Sequence, residues 1–222
     1  MSLPVAAPAA VLDAPPATVL DASPAEVPGE ALHTDFAGGW LLPEPAPREA
    51  VATRSIVCRS FRRDDGLIDI DGRFIDTRPF AYESDFRGPC PPGSALHRMQ
   101  LRLTVDRTRH IQALASAMPG TPYSGCAEVN ANFQRLVGLS IGRGFKKALR
   151  ERVGGVAGCT HILALLDVMA AAAVQAFASA AYAPRKPGQP EPVRIWKLDA
   201  LIDTCYSYRS DGEVMQRLKA RG

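Results

Sequence analysis

The chain has 222 residues, of which 46% are hydrophobic and 22% charged, ordinary values for a globular protein that exclude wholesale disorder and a membrane-embedded bundle. Its five cysteines, Cys58, Cys90, Cys126, Cys159 and Cys205, are odd in number and widely spaced, and no cationic segment leads into an apolar one at the start. Both facts argue against a secreted disulfide framework and for reduced thiols in the cytoplasm.

The formal charge of +3 hides an asymmetry. Residues 1–47 contain no Lys or Arg and six acids, which leaves 26 basic against 17 acidic residues, about +9, in the remainder. The arginines there are scattered among Asp and Glu with few aromatics between them, a pattern that speaks against a nucleic-acid partner.

Residues 1–50 read as a disordered Pro/Ala-rich leader, with nine prolines before Arg48 and a degenerate repeat beginning at Val11 and again at Val19. Trp40, Leu41 and Leu42 read as a linker end or a small docking segment. Residues 51–222 read as one α+β domain.

Ser55 to Phe61 and Leu67 to Thr77 alternate β-formers with polar residues and are joined through Arg63-Asp64-Asp65-Gly66, which predicts a β-hairpin. After a Gly/Pro loop containing Cys90, the segment Ala95 to Asp106 places His97, Met99, Leu101, Leu103 and Val105 on one face of a third strand. A fourth strand begins at His110, although its alanines also allow a helix.

Pro119 to Tyr123 breaks that segment, and Val129, Phe133, Leu136 and Val137 then fall at helical spacing up to Gly138. A second helix is expected from about Ile141 to Arg152, with Phe145, Ala148 and Leu149 inward and Gly154-Gly155 as its stop. Cys159 to Tyr182 forms a long helix, apolar almost all round and ended by Pro184, the expected central buried element. Its length approaches a membrane span, but Asp167 and Gln175 lie within it and alanine adds little transfer energy, so no membrane is expected. Val193 to Tyr208 reads as a strand running into a packed turn, and Glu213 to Lys219 as a last short helix.

The chemistry-bearing residues gather around Gly158-Cys159-Thr160-His161. Unpaired N–H groups and the macrodipole at a helix start favour a thiolate at Cys159. Two residues apart on a regular helix, Cys159 and His161 would point about 200° apart, so they serve one site only if one precedes the regular helix, which Gly158 allows.

As a zinc or iron site, Cys159 and His161 would be joined by Cys126 and Cys205, with Asp203 the alternative to Cys205, though the spacing matches no compact finger. As an enzyme, Cys159 would be nucleophile, His97 or His161 its base and Asp203 the orienting carboxylate. The plain alternative makes the cysteines small core residues, His161 a helix-start residue bonded to a nearby carbonyl, and His97 a core histidine beside Met99 and Leu101.

Gly72 to Thr77, Leu96-His97 with Leu101 to Asp106, Pro122-Tyr123 with Cys126, Leu136 to Gly138, Gly158 to His161 and Ile202 to Cys205 occur in an order that resembles the bacterial family known as domain of unknown function 2889. That resemblance covers about residues 54–220 and implies a protein often encoded beside aromatic-compound catabolism genes, with no assigned activity. The layout is also similar, more faintly, to NifU-type iron–sulfur scaffold proteins, which implies Cys126, Cys159 and His161 as ligands. The chain departs from that pattern in lacking the Gly-x-Gly-Cys lead-in and an adjacent His-Cys pair.

The expectation is therefore an antiparallel sheet of three to four strands packed on a helical layer. Its function would be that of a metal-binding accessory or small catabolic protein. A cysteine-dependent enzyme acting on a small aromatic acyl, thioester or lactone substrate, and a noncatalytic module that binds a partner protein, are the alternatives. The oligomeric state is left open.

Overall fold

A computed structural model describes residues 45–189 and 202–220. It is an α+β domain built on a four-stranded antiparallel sheet in the order β1-β2-β5-β6, where β1 is Thr53–Arg62, β2 Ile68–Thr77, β5 Ala95–Val105 and β6 Ile111–Gly120. The first hairpin closes where expected. Gly66 takes φ +86°, Arg63 and Leu67 pair through the backbone, and the Asp65 carboxylate accepts the Leu67 N–H. The loop before β5 holds a small second hairpin, β3 (Tyr82–Ser84) and β4 (Gly88–Cys90), which no alternation in the sequence announced.

Parity decides the layers. On β2, Ile68, Ile70, Gly72, Phe74 and Asp76 face one way, and register places Met99 of β5 and Ile56 of β1 beside Phe74. The same face of β5 carries His97, Leu101, Leu103 and Val105. Asp69, Asp71 and Arg73 of β2 and Arg98, Gln100 and Arg102 of β5 face the other way.

The helical layer covers the apolar face. Its long member, α2 (Thr160–Ala180), buries Ile162, Leu165, Leu166, Met169, Ala173 and Phe177 against β1 and β2. That burial lies on one side of the helix, and Val168 on the other is 41% exposed, so α2 is half-covered rather than buried all round. Gly72 allows its close approach, because a Cβ there would stand 2.5 Å from Met169 Sδ and 3.0 Å from Leu165 Cδ1. At its far end Arg62 of β1 donates to the carbonyls of Ala180 and Pro184.

The segment Ser124–Leu136 is a 3-10 helix rather than an α-helix, and Phe133 and Leu136, three apart, align inward at three residues per turn. Asn130 and Asn132 are drawn off to Ser116 and to the Ala157 carbonyl. The next helix, α1, spans Phe145–Val153. It starts later than Ile141, whose N–H instead meets the Arg109 carbonyl and whose side chain is buried. A last helix, α3, spans Glu213–Lys219 as expected. Of the expected segment Val193 to Tyr208, residues 193–201 lie outside the described ones, as do leader residues 1–44, and residues 202–208 form turns and one 3-10 turn.

Candidate functional site

Register alone assembles half of a site. Arg54 of β1 pairs with Asp76 of β2, and Asp76 with His97 of β5, so the three occupy one row on the helix-covered face. The Asp76 carboxylate accepts Arg54 Nε at 2.8 Å on Oδ1 and Arg54 Nη2 at 2.9 Å on Oδ2. It also accepts His97 Nδ1 at 3.0 Å on Oδ2. A carboxylate offers about four lone-pair sites, so this arrangement leaves roughly one, on Oδ1. With Nδ1 donating to Asp76, His97 keeps a lone pair on Nε2.

The start of α2 adds the rest. His161 lays its ring over His97 with centroids 3.8 Å apart and planes tilted by 34°. Phe74 stands edge-on to His161 at 5.3 Å and carries the Arg54 guanidinium on its face at 4.6 Å. Cys159 meets the condition set by helical geometry. It is the N-cap of α2, extended at φ −133° and ψ 129°, so it precedes the regular helix. Its Sγ lies 3.7 Å from His161 Nδ1, within hydrogen-bond range for sulfur. Gly158 makes this entry path feasible, because a Cβ there would sit 1.9 Å from the Val153 carbonyl oxygen.

Burial, reinforced by the Arg54 charge, pushes the His97 imidazole below its ordinary value, outweighing its hydrogen bond to Asp76 and the Asp76 charge, and Arg87 adds to the effect. Burial lowers His161 too, helped by His97 and Arg54. Burial opposes ionisation of Asp76, but the hydrogen bonds and charge of Arg54, with the His97 bond, hold it below the usual carboxylate value. At neutral pH the site thus holds a charged carboxylate and two uncharged imidazoles.

Donor atoms of Asp76, His97 and His161 all lie within 4.8 Å of one another, and among the described residues this is the group of three able to hold a metal ion. The expected set of Cys126, Cys159, His161 and Cys205 is therefore not what the fold gathers. His161 is in the group, Cys159 touches it only through His161, and Cys126 and Cys205 are outside. Cys126 sits near the start of the 3-10 helix and Cys205 on an exposed turn. Asp203 spends its carboxylate on the Ser210 N–H at 2.9 Å, and the carboxylate that orients a histidine is Asp76.

Asp76 and Arg54 escaped the sequence reading, although a signal existed. A carboxylate at the parity of Ile70 and Phe74 needs a partner, and the strand register supplies two.

The chain finds no match among curated proteins or solved structures. A family model described as protein of unknown function (DUF2889) matches residues 52–175, a span that holds Arg54, Asp76, His97, Cys126, Cys159 and His161 but neither Asp203 nor Cys205, and the chain belongs to that family.

Proposed function

We propose that the protein binds a divalent transition metal, zinc or iron, at His97, His161 and Asp76. It would serve as a cytoplasmic metal-binding accessory or small catabolic protein, with the family resemblance favouring bacterial aromatic-compound degradation. One observation carries the reading: two uncharged imidazoles and a carboxylate, from β2, β5 and the start of α2, converge within 4.8 Å. Two histidines and one carboxylate suit iron or zinc with open coordination positions. Asp76 holds the His97 imidazole in place before any metal arrives, and ligation by Asp76 would compete with that bond. A bound metal would supply Lewis acidity at those positions.

Arg54 tempers the affinity, because its guanidinium competes for the same carboxylate. Metal analysis of untagged protein after reconstitution tests the reading. It should give close to one equivalent in the native chain and a loss of at least about tenfold in affinity in H97Q and in H161Q. Less than about a tenth of an equivalent, unchanged by reconstitution, rejects it.

A second reading rests on the Cys159–His161 contact at 3.7 Å, which joins a nucleophile to a base. It predicts a cysteine-dependent enzyme acting on a small aromatic acyl, thioester or lactone substrate. Iodoacetamide should then alkylate Cys159 faster than the other four thiols, and H161Q should abolish the difference. Equal labelling of all five sinks it.

A further inference from the structure

We propose that the same site receives a small organic carboxylate with an apolar body, its charge held by Arg87 and the outer edge of Arg54 and its body resting on Phe86 and Tyr123. The inference needs no metal and so goes beyond the reading above.

The first argument is charge. Arg54 and Asp76 act on both imidazoles, and the Arg87 guanidinium acts on His97 as a further cation. Arg54 and Asp76 neutralise each other through two parallel bonds that use Nε and Nη2 and leave Nη1 over. Arg87 is in no ion pair among the described residues, so one guanidinium charge is left at this end of the sheet, which matches a monoanion better than a phosphate dianion.

The second argument is placement. Arg87 donates Nη1 to the Ala95 carbonyl at 2.8 Å, and Ala95 opens β5 two residues before His97, across a register shift in the β2–β5 pairing. The Arg87 side chain is exposed, and one of its five N–H donors makes that anchoring bond. The Arg54 guanidinium is pinned by the Phe74 ring and by Asp76, so it is ordered before a ligand arrives.

The third argument is the apolar rim. Phe86, next to Arg87, is 67% exposed, and Tyr123, just past the end of β6, is 55% exposed. Their rings meet edge to face with centroids 5.1 Å apart. Two large aromatics held in ordered contact at the surface form an apolar step that a ligand can cover. They lie at the end of the sheet where β2 finishes, β5 begins and β6 finishes, the end that carries Asp76 and His97.

The test uses the metal-free full-length chain, with the side-chain nitrogens of His97 and His161 observed by NMR and assigned through H97Q and H161Q. Hexanoate should shift both imidazoles, acetate should bind more weakly and inorganic phosphate should leave them unmoved. R87Q should weaken hexanoate about tenfold, as expected for loss of one charge-assisted contact. R87K should restore part of that loss, F86S should remove the preference of hexanoate over acetate, and K147Q should change nothing.

The proposal fails if neither imidazole responds to hexanoate up to about 50 mM, a level at which only affinities too weak to matter escape notice. It also fails if R87Q binds like the native chain, or if phosphate binds more tightly than hexanoate. Metal content is read on separate, reconstituted samples. A chain that takes hexanoate but no metal overturns the metal reading alone, and one that takes metal but no hexanoate overturns this one alone.

Discussion

Asp71 and Asp76 stand five residues apart on β2, and each chelates an arginine through both oxygens, yet they face opposite sides of the sheet. Asp71 and Arg102 meet at 2.6 Å on the open side, with 32% of the Asp71 side chain exposed. Asp76 and Arg54 meet at 2.8 Å at the mouth of the covered side, with 13% of the Asp76 side chain exposed. Water can stand in for either partner of the first pair. The second carboxylate must also hold His97, which is buried, and so the same chemical pair serves solubility on one face and orients an imidazole on the other.

The sharpest way to break this contrast is D76A, which strips His97 and Arg54 of their shared acceptor. We expect a loss of about 3 kcal/mol in urea denaturation, together with the loss of bound metal. A change under about 0.5 kcal/mol would show that Asp76 is no more than a second surface ion pair.

G158A attacks the site from the helix side while leaving both ion pairs alone. A Cβ 1.9 Å from a backbone oxygen forces the chain at Cys159 to move. Stability should fall by about 2 kcal/mol, and the Cys159 alkylation rate should shift away from the native value. An unaltered alkylation profile would dissociate the entry path from the Cys159–His161 contact.

The pH dependence distinguishes the faces without mutation. Both imidazoles are held below the ordinary histidine value of 6.5, so the unfolded chain binds more protons than the folded one just below that pH. Stability is fully present above pH 6.5 and falls as the pH drops toward the lowered folded-state values. H97Q and H161Q should each flatten that slope. The Asp76 contribution is a second, more acidic loss, as pH falls through the ordinary value of 3.8 and on to its depressed one. An acid titration of the denaturation midpoint that is flat between pH 7 and 5 would contradict the buried, neutral pair.

The smallest effect should come from D71A, which removes the exposed chelate. About 0.5 kcal/mol or less is expected, shrinking further in high salt, with metal content unaffected. A larger loss would mean that the open face contributes more to the sheet than its exposure implies.

The sheet was legible because a half-covered strand must alternate, and Ile68 to Phe74 and Arg98 to Asp106 do so. The hairpin turn and the bounds of α3 were legible for similarly local reasons. The site was legible in part. His97, Cys159 and His161 were named from residue type and position, and the requirement that Cys159 precede the helix follows from helical geometry. What decided the site was strand register and the landing point of α2, both long-range, and these brought in Asp76 and Arg54 and left Cys126, Cys205 and Asp203 elsewhere. The β3–β4 hairpin escaped because three-residue strands carry too few positions to show a period. The exposed flank of α2 escaped because alanine reads as apolar whether or not anything covers it.

The absence of a side chain at Gly72 has a mechanical consequence. There α2 rests on the sheet through Met169 and Leu165, as a beam rests on a fulcrum, and His161 lies eight residues up the beam from Met169, roughly 12 Å along the axis. A tilt of about five degrees at that fulcrum carries His161 roughly 1 Å across His97, a displacement large enough to matter to any chemistry that depends on their alignment. The close helix–sheet spacing that Gly72 permits at Leu165 and Met169 therefore helps set how His161 meets His97.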